Sequence, residues 1–353
     1  MADTSIGTDH NLTVKHWSAV MFKTALKQVF FGKFVGKGDN NIIETKTDLT
    51  KEKGDQVTFG LRVPLTGTGV TGDGALEGNE EAMVFHDFAV KIDLRANAVR
   101  SAGKMSLRRP AFDFKQQAKN ALAEWMADVI DDDTVYALSG VANTAATVAA
   151  SEPTAARSFY GGQTTAGVLD SGSDMTDITS QTNHLFGTKV IEHVKRQAKR
   201  LDPKIRPVMD GDRELYTIFI NPLQAKALRA DEDWIESQQK ANVRGEKNPI
   251  FSGASGIWDG VVIHEYERIL TTEANSAFGA ETDEPTVPAA RALFCGAQAG
   301  VHAYGQYPGW YEKNFEYGRV PGVATDIVIG VKKPVFDSKE YGVIAVNTAV
   351  VAD

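Results

Sequence analysis

The sequence predicts an α+β fold, and three patterns predict it. Over 110–138, Ala111, Phe114, Ala118, Ala121, Leu122, Trp125, Met126, Val129 and Ile130 recur at three- and four-residue spacing on one stripe. Lys115, Gln116, Lys119, Asn120, Glu124 and Asp128 take the other side, the pattern of a long amphipathic helix with one buried face. Val57, Phe59, Leu61, Val63 and Leu65 alternate with Thr58, Gly60, Arg62 and Pro64, which marks a half-buried strand. Two apolar β runs, 323–331 and 341–351, close the chain.

From the N-terminus, 14–31 reads as a helix apolar on more than one side, with Trp17, Val20 and Met21 on one and Phe22, Leu26 and Phe30 on another. Gly32, Gly36 and Gly38 then end it, and 40–50 looks extended with Ile42 and Ile43 free to pack. The strand at Val57 is answered by a second over Phe88, Val90, Ile92, Leu94, Ala96 and Ala98. A two-stranded sheet is too small to stand alone in water, so this hairpin projects from, or lies against, something else.

The helix at 110–138 would be roughly 42 Å long at about 1.5 Å per residue, the width of a domain. Pro110 suits its first turn and Gly140 its end. The next stretch, 141–180, is Ala, Thr, Ser and Gly with few large apolar residues and reads as a surface loop or insertion. A second helix follows at 186–201, with Val190, Ile191, Val194 and Ala198 in register, ended by Asp202-Pro203. A strand at 216–220 leads through Asn221-Pro222 into a helix to Leu228, and 231–242 is polar and helical. Strands follow at 257–266 and within 293–304, separated by a loose loop at 274–290, and the two C-terminal runs are expected to close a sheet under the long helix.

At 353 residues the chain exceeds the usual single core, so two packed lobes or one domain with large extensions is expected. A formal charge of −8 argues against a surface that grips nucleic acid as a whole. The lone cysteine, Cys295, excludes an internal disulfide and lies in an apolar run, which makes it a small buried thiol. There is no run of about 20 apolar residues to span a membrane, and 1–9 carries no leader pattern, so the product is expected to remain in the cytoplasm.

Chemistry-bearing motifs fail on inspection. Gly67, Gly69 and Gly72 spell a G-x-G-x-x-G after a strand, but the next strand begins about 12 residues on, too soon for the crossover helix a dinucleotide site needs. Gly32 to Gly38 misses the phosphate-loop spacing. Asp128, Asp131, Asp132 and Asp133 sit on a helix, where most are expected to face water instead of a metal. Histidines such as His86, His193 and His264 occur singly, and Gly253 to Gly256 misses the nucleophile elbow by one. No catalytic residue, cofactor site or metal site is therefore assigned.

The order of arm, projecting hairpin, long helix and mixed lobe resembles the Hong Kong 97-type fold of tailed-bacteriophage major capsid proteins. Leu76-Glu77-Gly78-Asn79-Glu80-Glu81, Asp231-Glu232-Asp233-Trp234, Asn248-Pro249-Ile250-Phe251-Ser252-Gly253 and the stretch from Phe336-Asp337 to Ala345 are similar to the capsid family named for coliphage N-four. The resemblance implies an N-terminal arm at 1–50 and an extended hairpin, the E-loop, at 51–103. It implies a spine helix and peripheral domain at 104–185 with an insertion at 141–180, an axial domain at 186–322, and C-terminal strands at 323–353 returning to the core sheet.

It also implies pentamers and hexamers in an icosahedral head around double-stranded DNA. The partners would be many copies of the chain, with portal, scaffolding and decoration proteins beside it. The site would be the virion, after assembly in the host cytoplasm. An encapsulin-like compartment shell is the alternative reading, and a nucleotide-dependent enzyme a remote one. With the family's arm beginning near residue 12, no long scaffolding extension is expected in front of it.

The hairpin tip is acidic, with Asp73, Glu77, Glu80 and Glu81 and no basic residue from Thr66 to Phe85. Arg108 and Arg109, at the expected start of a neighbour's spine helix, are the candidate partners.

Overall fold

The computed structural model describes residues 29–47, 54–62, 65, 67, 69–72, 74, 76–108, 113–143, 148–149, 151–162, 170–171, 175–240, 256–272, 285 and 287–351. Two sheets and five α-helices organise them. A 3-10 turn at Phe31–Phe34 opens into β1 (Val35–Gly36) and β2 (Ile43–Lys46). The hairpin follows as β3 (Gln56–Arg62) and β4 (Phe85–Lys91), then β5 (Asp93–Arg100), α1 (Lys104–Arg108) and the long α2 (Phe114–Ser139). Next come β6 (Ser158–Tyr160), β7 (Asp170–Ser171), α3 (Thr188–Arg200), β8 (Val208–Asp210) and β9 (Arg213–Ile220).

The chain continues through α4 (Pro222–Arg229), α5 (Glu232–Lys240), β10 (Gly256–Trp258), β11 (Val261–Glu265) and β12 (Ala289–Cys295). It ends with β13 (Gly300–Phe315), β14 (Val320–Lys332), β15 (Val335–Phe336), β16 (Lys339–Glu340) and β17 (Val343–Ala349).

The spine helix is present but starts later than predicted. Asp113 is its N-cap, its side chain accepting the N–H of Lys115 at 3.0 Å. An aspartate in this place satisfies a donor that proline at 110 would have made unnecessary; Pro110 and Ala111 lie outside the described residues. Gly140 ends the helix as expected, in the left-handed conformation (φ 80). A Cβ there would meet Ser151 O at 2.3 Å, so only glycine lets the returning chain pass.

The buried stripe holds at Ala118, Leu122, Met126, Val129 and Ile130, but past Ile130 burial spreads round most of the helix. There α2 lies between the sheets. One cluster joins it to Phe31, Phe34, Ile42 and Ile43 of the arm stretch, to Val323, Ile327 and Ile329 of β14, and to Phe219, Leu293 and Cys295 of the larger sheet.

Two of the four aspartates on α2 therefore do not face water. Asp131 accepts the N–H groups of Phe30 and Phe31, at 2.8 and 3.1 Å, and is held by Tyr266. Burial pushes its carboxyl above the ordinary range. Asp133 lies 3.5 Å from Arg95 and accepts from Asn143 at 2.9 Å, and burial raises it to about 6. Arg268 takes the outer pair, Asp128 at 2.7 Å and Asp132 at 2.8 Å. The reading of these acids as a solvated row is corrected: they pin the arm stretch, β5 and the β11 turn to the spine. The same bonds place Val29 to Phe34 at the core and show a 3-10 turn, with Gly32 inside it, where an α-helix was expected to be ending.

The five-stranded sheet runs β1-β2-β13-β14-β5 and the eight-stranded one β10-β11-β9-β12-β17-β6-β7, with β8 on β9. The two C-terminal runs were expected to close one sheet, and they do not: each pairs with its own distant partners in a different sheet. β14 pairs with β13 and β5 under α2, whereas β17 lies in the other sheet between β12 and β6. That second sheet is covered on both faces: Tyr216, Ile218, Ile220, Phe294, Ile344 and Val346 meet Val190, Ile191, Val194 and Ala198 of α3 on one, while Phe219, Leu293, Cys295 and Val343 join the α2 cluster on the other, which gives its strands near-continuous apolar runs.

The 141–180 stretch is also more than surface loop, since β6 pairs with β17 in parallel and Phe159, Met175 and Ile178 are buried. A three-residue strand is too short to declare itself by alternation. β13 escaped prediction beyond Tyr304 because Gly305, Pro308 and Gly309 fall where the ladder with β14 shifts register, between Tyr304 and Gln306 and again before Gly309.

Candidate assembly surface

The hairpin is the part of the chain that leaves the body. β3 and β4 pair antiparallel from Gln56↔Lys91 to Arg62↔Phe85 and form a sheet of their own. The predicted strand across Phe88 to Ala98 is thus two strands, broken at Ile92. The Ile92 N–H donates to Asp55 O at 3.0 Å, and β5 goes on to pair with β14 from Asp93↔Ile329 to Arg100↔Gly322.

The base of the hairpin is anchored by packing. Val57, Phe59, Phe88 and Val90 bury against Val301, Ala303 and Phe336, with ring centroids 6.2 Å apart for Phe59–Phe88 and 5.7 Å for Phe88–Phe336. Lys332 lies 4.7 Å over the Phe88 ring and Lys46 4.2 Å over Phe59. Burial and the charge of Lys91 hold the Lys332 ammonium below its ordinary value. Gly330 is required here, for a Cβ would meet Lys91 O at 2.1 Å.

The far end is different. Leu65, Leu76, Met83, Val84 and Phe85 are all exposed, Phe85 to 63% and Leu76 to 71%. Large apolar side chains concentrated on one projection, with a buried base, describe a surface built for contact. Gly69 and Gly72 take positive φ (67 and 65) in the turn region, so the G-x-G-x-x-G is the tip of an antiparallel hairpin and no phosphate cradle.

The acidic residues of the tip have local work. Glu81 Oε2 accepts the Gly67 N–H at 2.8 Å across the loop, and Glu80 Oε2 accepts the Gly78 N–H at 2.7 Å. Glu77 is exposed beside them. Asp73 and Arg109 lie outside the described residues. Arg108, expected beside the start of the spine helix, ends the separate helix α1, five positions before the N-cap of α2. Glu80 and Glu81 each bond a glycine amide of the loop, and Glu77 lies exposed on the same stretch. Beside the tip's charge, the run Met83-Val84-Phe85, leading into β4, is the signal in the sequence for this apolar surface.

Among the described residues no group of three or more His, Cys, Asp or Glu is placed to hold a metal, and no helix is long and apolar enough to cross a membrane. Cys295 is fully buried, and burial pushes its thiol up.

The phage capsid protein family profile matches residues 5–352. The chain belongs to that family. The major capsid protein of Pseudomonas phage KPP25 is 30% identical over 357 residues, 94% of each chain. The capsid of Ralstonia phage GP4 superposes with a TM-score of 0.79 at 27% identity, covering 100% of this chain and 95% of that one. The Cyanophage Pam1 capsid asymmetric unit gives 0.76 at 24% identity with full coverage of both. Capsid assemblies are built from many copies of such a protein, and the exposed apolar tip is the candidate surface on this chain for that contact.

Proposed function

We propose that this capsid protein assembles as pentamers and hexamers into the icosahedral head of a tailed phage, enclosing double-stranded DNA without reading its sequence. In this reading the fold is of the Hong Kong 97 type and nearest the N-four-like capsids. The five-stranded sheet with α2 forms the peripheral lobe, the eight-stranded sheet the axial lobe, and β3–β4 the E-loop. Portal, scaffolding and decoration proteins are the further partners this role brings.

The observation that carries the reading is the hairpin, buried at Phe59 and Phe88 and exposed at Leu76, Met83 and Phe85. Apolar area left open on a projection is covered by a neighbour in a closed ring, and the rings repeat that contact over a shell. The net charge of −8 fits a container that must release its DNA. Electron microscopy of the purified protein tests it: closed shells are expected, and a stable monomer at high concentration overturns the proposal.

A further inference from the structure

The exposed side of α3 carries a charge opposite to that of the chain as a whole. Between 189 and 206 lie seven cations and two acids, so this stretch stands at +5 on a chain of net charge −8. The apolar residues of the helix, Val190, Ile191, Val194 and Ala198, are all buried over the eight-stranded sheet. At about 100° per residue, Lys189, His193, Arg196 and Arg200 then fall within about 60° of one another on the opposite side, in one row about 16 Å long. Lys189, Arg196 and Arg200 are exposed, and so is Lys204 just past the helix end.

The acids near this row are engaged beside it. Asp259 takes Lys195 at 2.8 Å, Glu214 takes Lys199 at 2.7 Å, and Asp202 takes Lys339 at 3.2 Å. Glu192, on the flank of the row, accepts the indole N–H of Trp258 at 3.1 Å. Within the row, Arg196 Nη2 donates to His193 Nδ1 at 3.0 Å, which leaves the guanidinium charge uncompensated. Among the described residues, Lys189, Arg200 and Lys204 form no ion pair.

The helix itself does not ask for this row. Arg200 suits the negative end of α3, but Lys189 stands in its first turn, where the dipole disfavours a cation. Like charges four residues apart, as at Arg196 and Arg200, also work against helix stability. No large apolar side chain is exposed on α3. A protein partner's contact centres on apolar and aromatic anchors with lysine depleted, whereas bare cations in a row are the composition that meets phosphate.

We infer that the exposed row of α3, Lys189, Arg196 and Arg200 with Lys204 beyond it, is the contact for the phosphate backbone of the packaged double-stranded DNA. The inference rests on the shell reading for the source of that DNA, and it adds which face of the subunit looks inward. Over about 16 Å a duplex presents on the order of ten phosphates, more than the row can neutralise, so each subunit's contact is weak, indifferent to sequence and dependent on salt. A short cationic row on an acidic subunit positions the outer layer of DNA without holding it fast.

Fluorescence anisotropy of a random-sequence double-stranded DNA probe, titrated with the purified full-length protein at several salt concentrations, tests it. Lys189→Gln with Arg196→Gln and Arg200→Gln is expected to flatten the slope of log affinity against log salt by about 2.7, about 0.9 for each phosphate no longer neutralised. Lys104→Gln with Lys313→Gln and Arg319→Gln removes three exposed cations elsewhere, and the same net charge, and leaves the slope within about 0.5 of wild type. In DNA-filled particles Lys189 is expected to react with an acetylating reagent several-fold more slowly than in emptied ones, read by mass spectrometry. The inference is overturned if the wild-type protein does not bind the probe at low salt, if the first triple variant keeps the wild-type slope, if the second loses as much, or if Lys189 reacts equally in filled and emptied particles. Wild-type protein that binds the probe through the row yet forms no shells sinks the shell reading instead, so the two failures are distinguishable.

Discussion

Asp131 on α2 accepts the backbone N–H of Phe31 at 3.1 Å across 100 positions of sequence. With the Phe30 N–H at 2.8 Å on its other oxygen, and Phe30 stacked 4.1 Å from Tyr266, this one carboxylate fixes where the N-terminal stretch joins the body. Asp131→Ala orphans two donors and is expected to cost about 2–4 kcal/mol. Asp131→Asn keeps one acceptor and loses less than half of that. Urea unfolding of dissociated subunits measures the cost, and hydrogen exchange at Phe30 and Phe31 should speed up in the alanine variant; unchanged protection there removes the anchor role.

Two neighbours of that anchor have opposed pH dependence. Asp133 is raised by burial from its ordinary 3.8 to about 6, so its contribution to stability is present below about 4 and lost as pH rises through about 6. His302, buried against Thr134 Oγ1 at 3.0 Å, is lowered from 6.5 to about 4, so its contribution is present above 6.5 and lost as pH falls through about 4. Between about pH 4 and 6 the two slopes cancel. Relative to wild type, Asp133→Asn should add a rise of stability with pH of up to about 1.4 kcal/mol per pH unit in that window, and His302→Gln a fall of the same size. Urea titrations at several pH values give both signs directly.

Lys333 and Glu340, in and beside the small β15–β16 hairpin, form an ion pair with side chains 1% and 2% exposed. Removing one partner strands the other charge in the interior. Lys333→Met should cost about 3–5 kcal/mol, while Lys333→Met with Glu340→Gln recovers most of it. A double-mutant cycle by denaturant midpoint checks this; a double-variant loss equal to the sum of the two single losses would show the pair to be independent.

Covalent linkage of the shell is not expected. The hairpin from 54 to 90 contains no lysine, whereas the founding capsid of the resembled fold uses one there to reach a neighbour's asparagine. Denaturing electrophoresis of mature particles should give one band near 38.3 kDa. A ladder of multiples refutes it.

Much of the fold was legible where one element carries its own period. α3 declared itself by Val190, Ile191, Val194 and Ala198, the hairpin by the alternation from Val57 to Leu61, and the end of the spine by Gly140. What stayed hidden depends on partners far away in sequence. Asp131 and Asp133 read as solvated because charge alone speaks for water; the amides of Phe30 and Phe31 and the guanidinium of Arg95 that receive them are tertiary facts. The turn between β13 and β14 was hidden for a second reason, since the bulges at Gly305 to Gly309 broke the period of the strand leading to it. At the tip, composition showed both the acids and the apolar run, but only the structure shows that Glu80 and Glu81 are partly spent on the loop's own amides.

The place of β17 in the eight-stranded sheet has a consequence for how the chain emerges from the ribosome. β12 pairs with it on one side and β6 on the other, through Leu293↔Ala345 and Ser158↔Ala345. Until residues 343–349 have left the exit tunnel, β6 and β7 have no ladder to join and the Phe294 face lacks Ile344 and Val346. A nascent chain therefore carries its hairpin, already complete in sequence, on a body that cannot yet close. Completion of residues 343–349 is therefore the step that lets the eight-stranded sheet and its α3-covered face close.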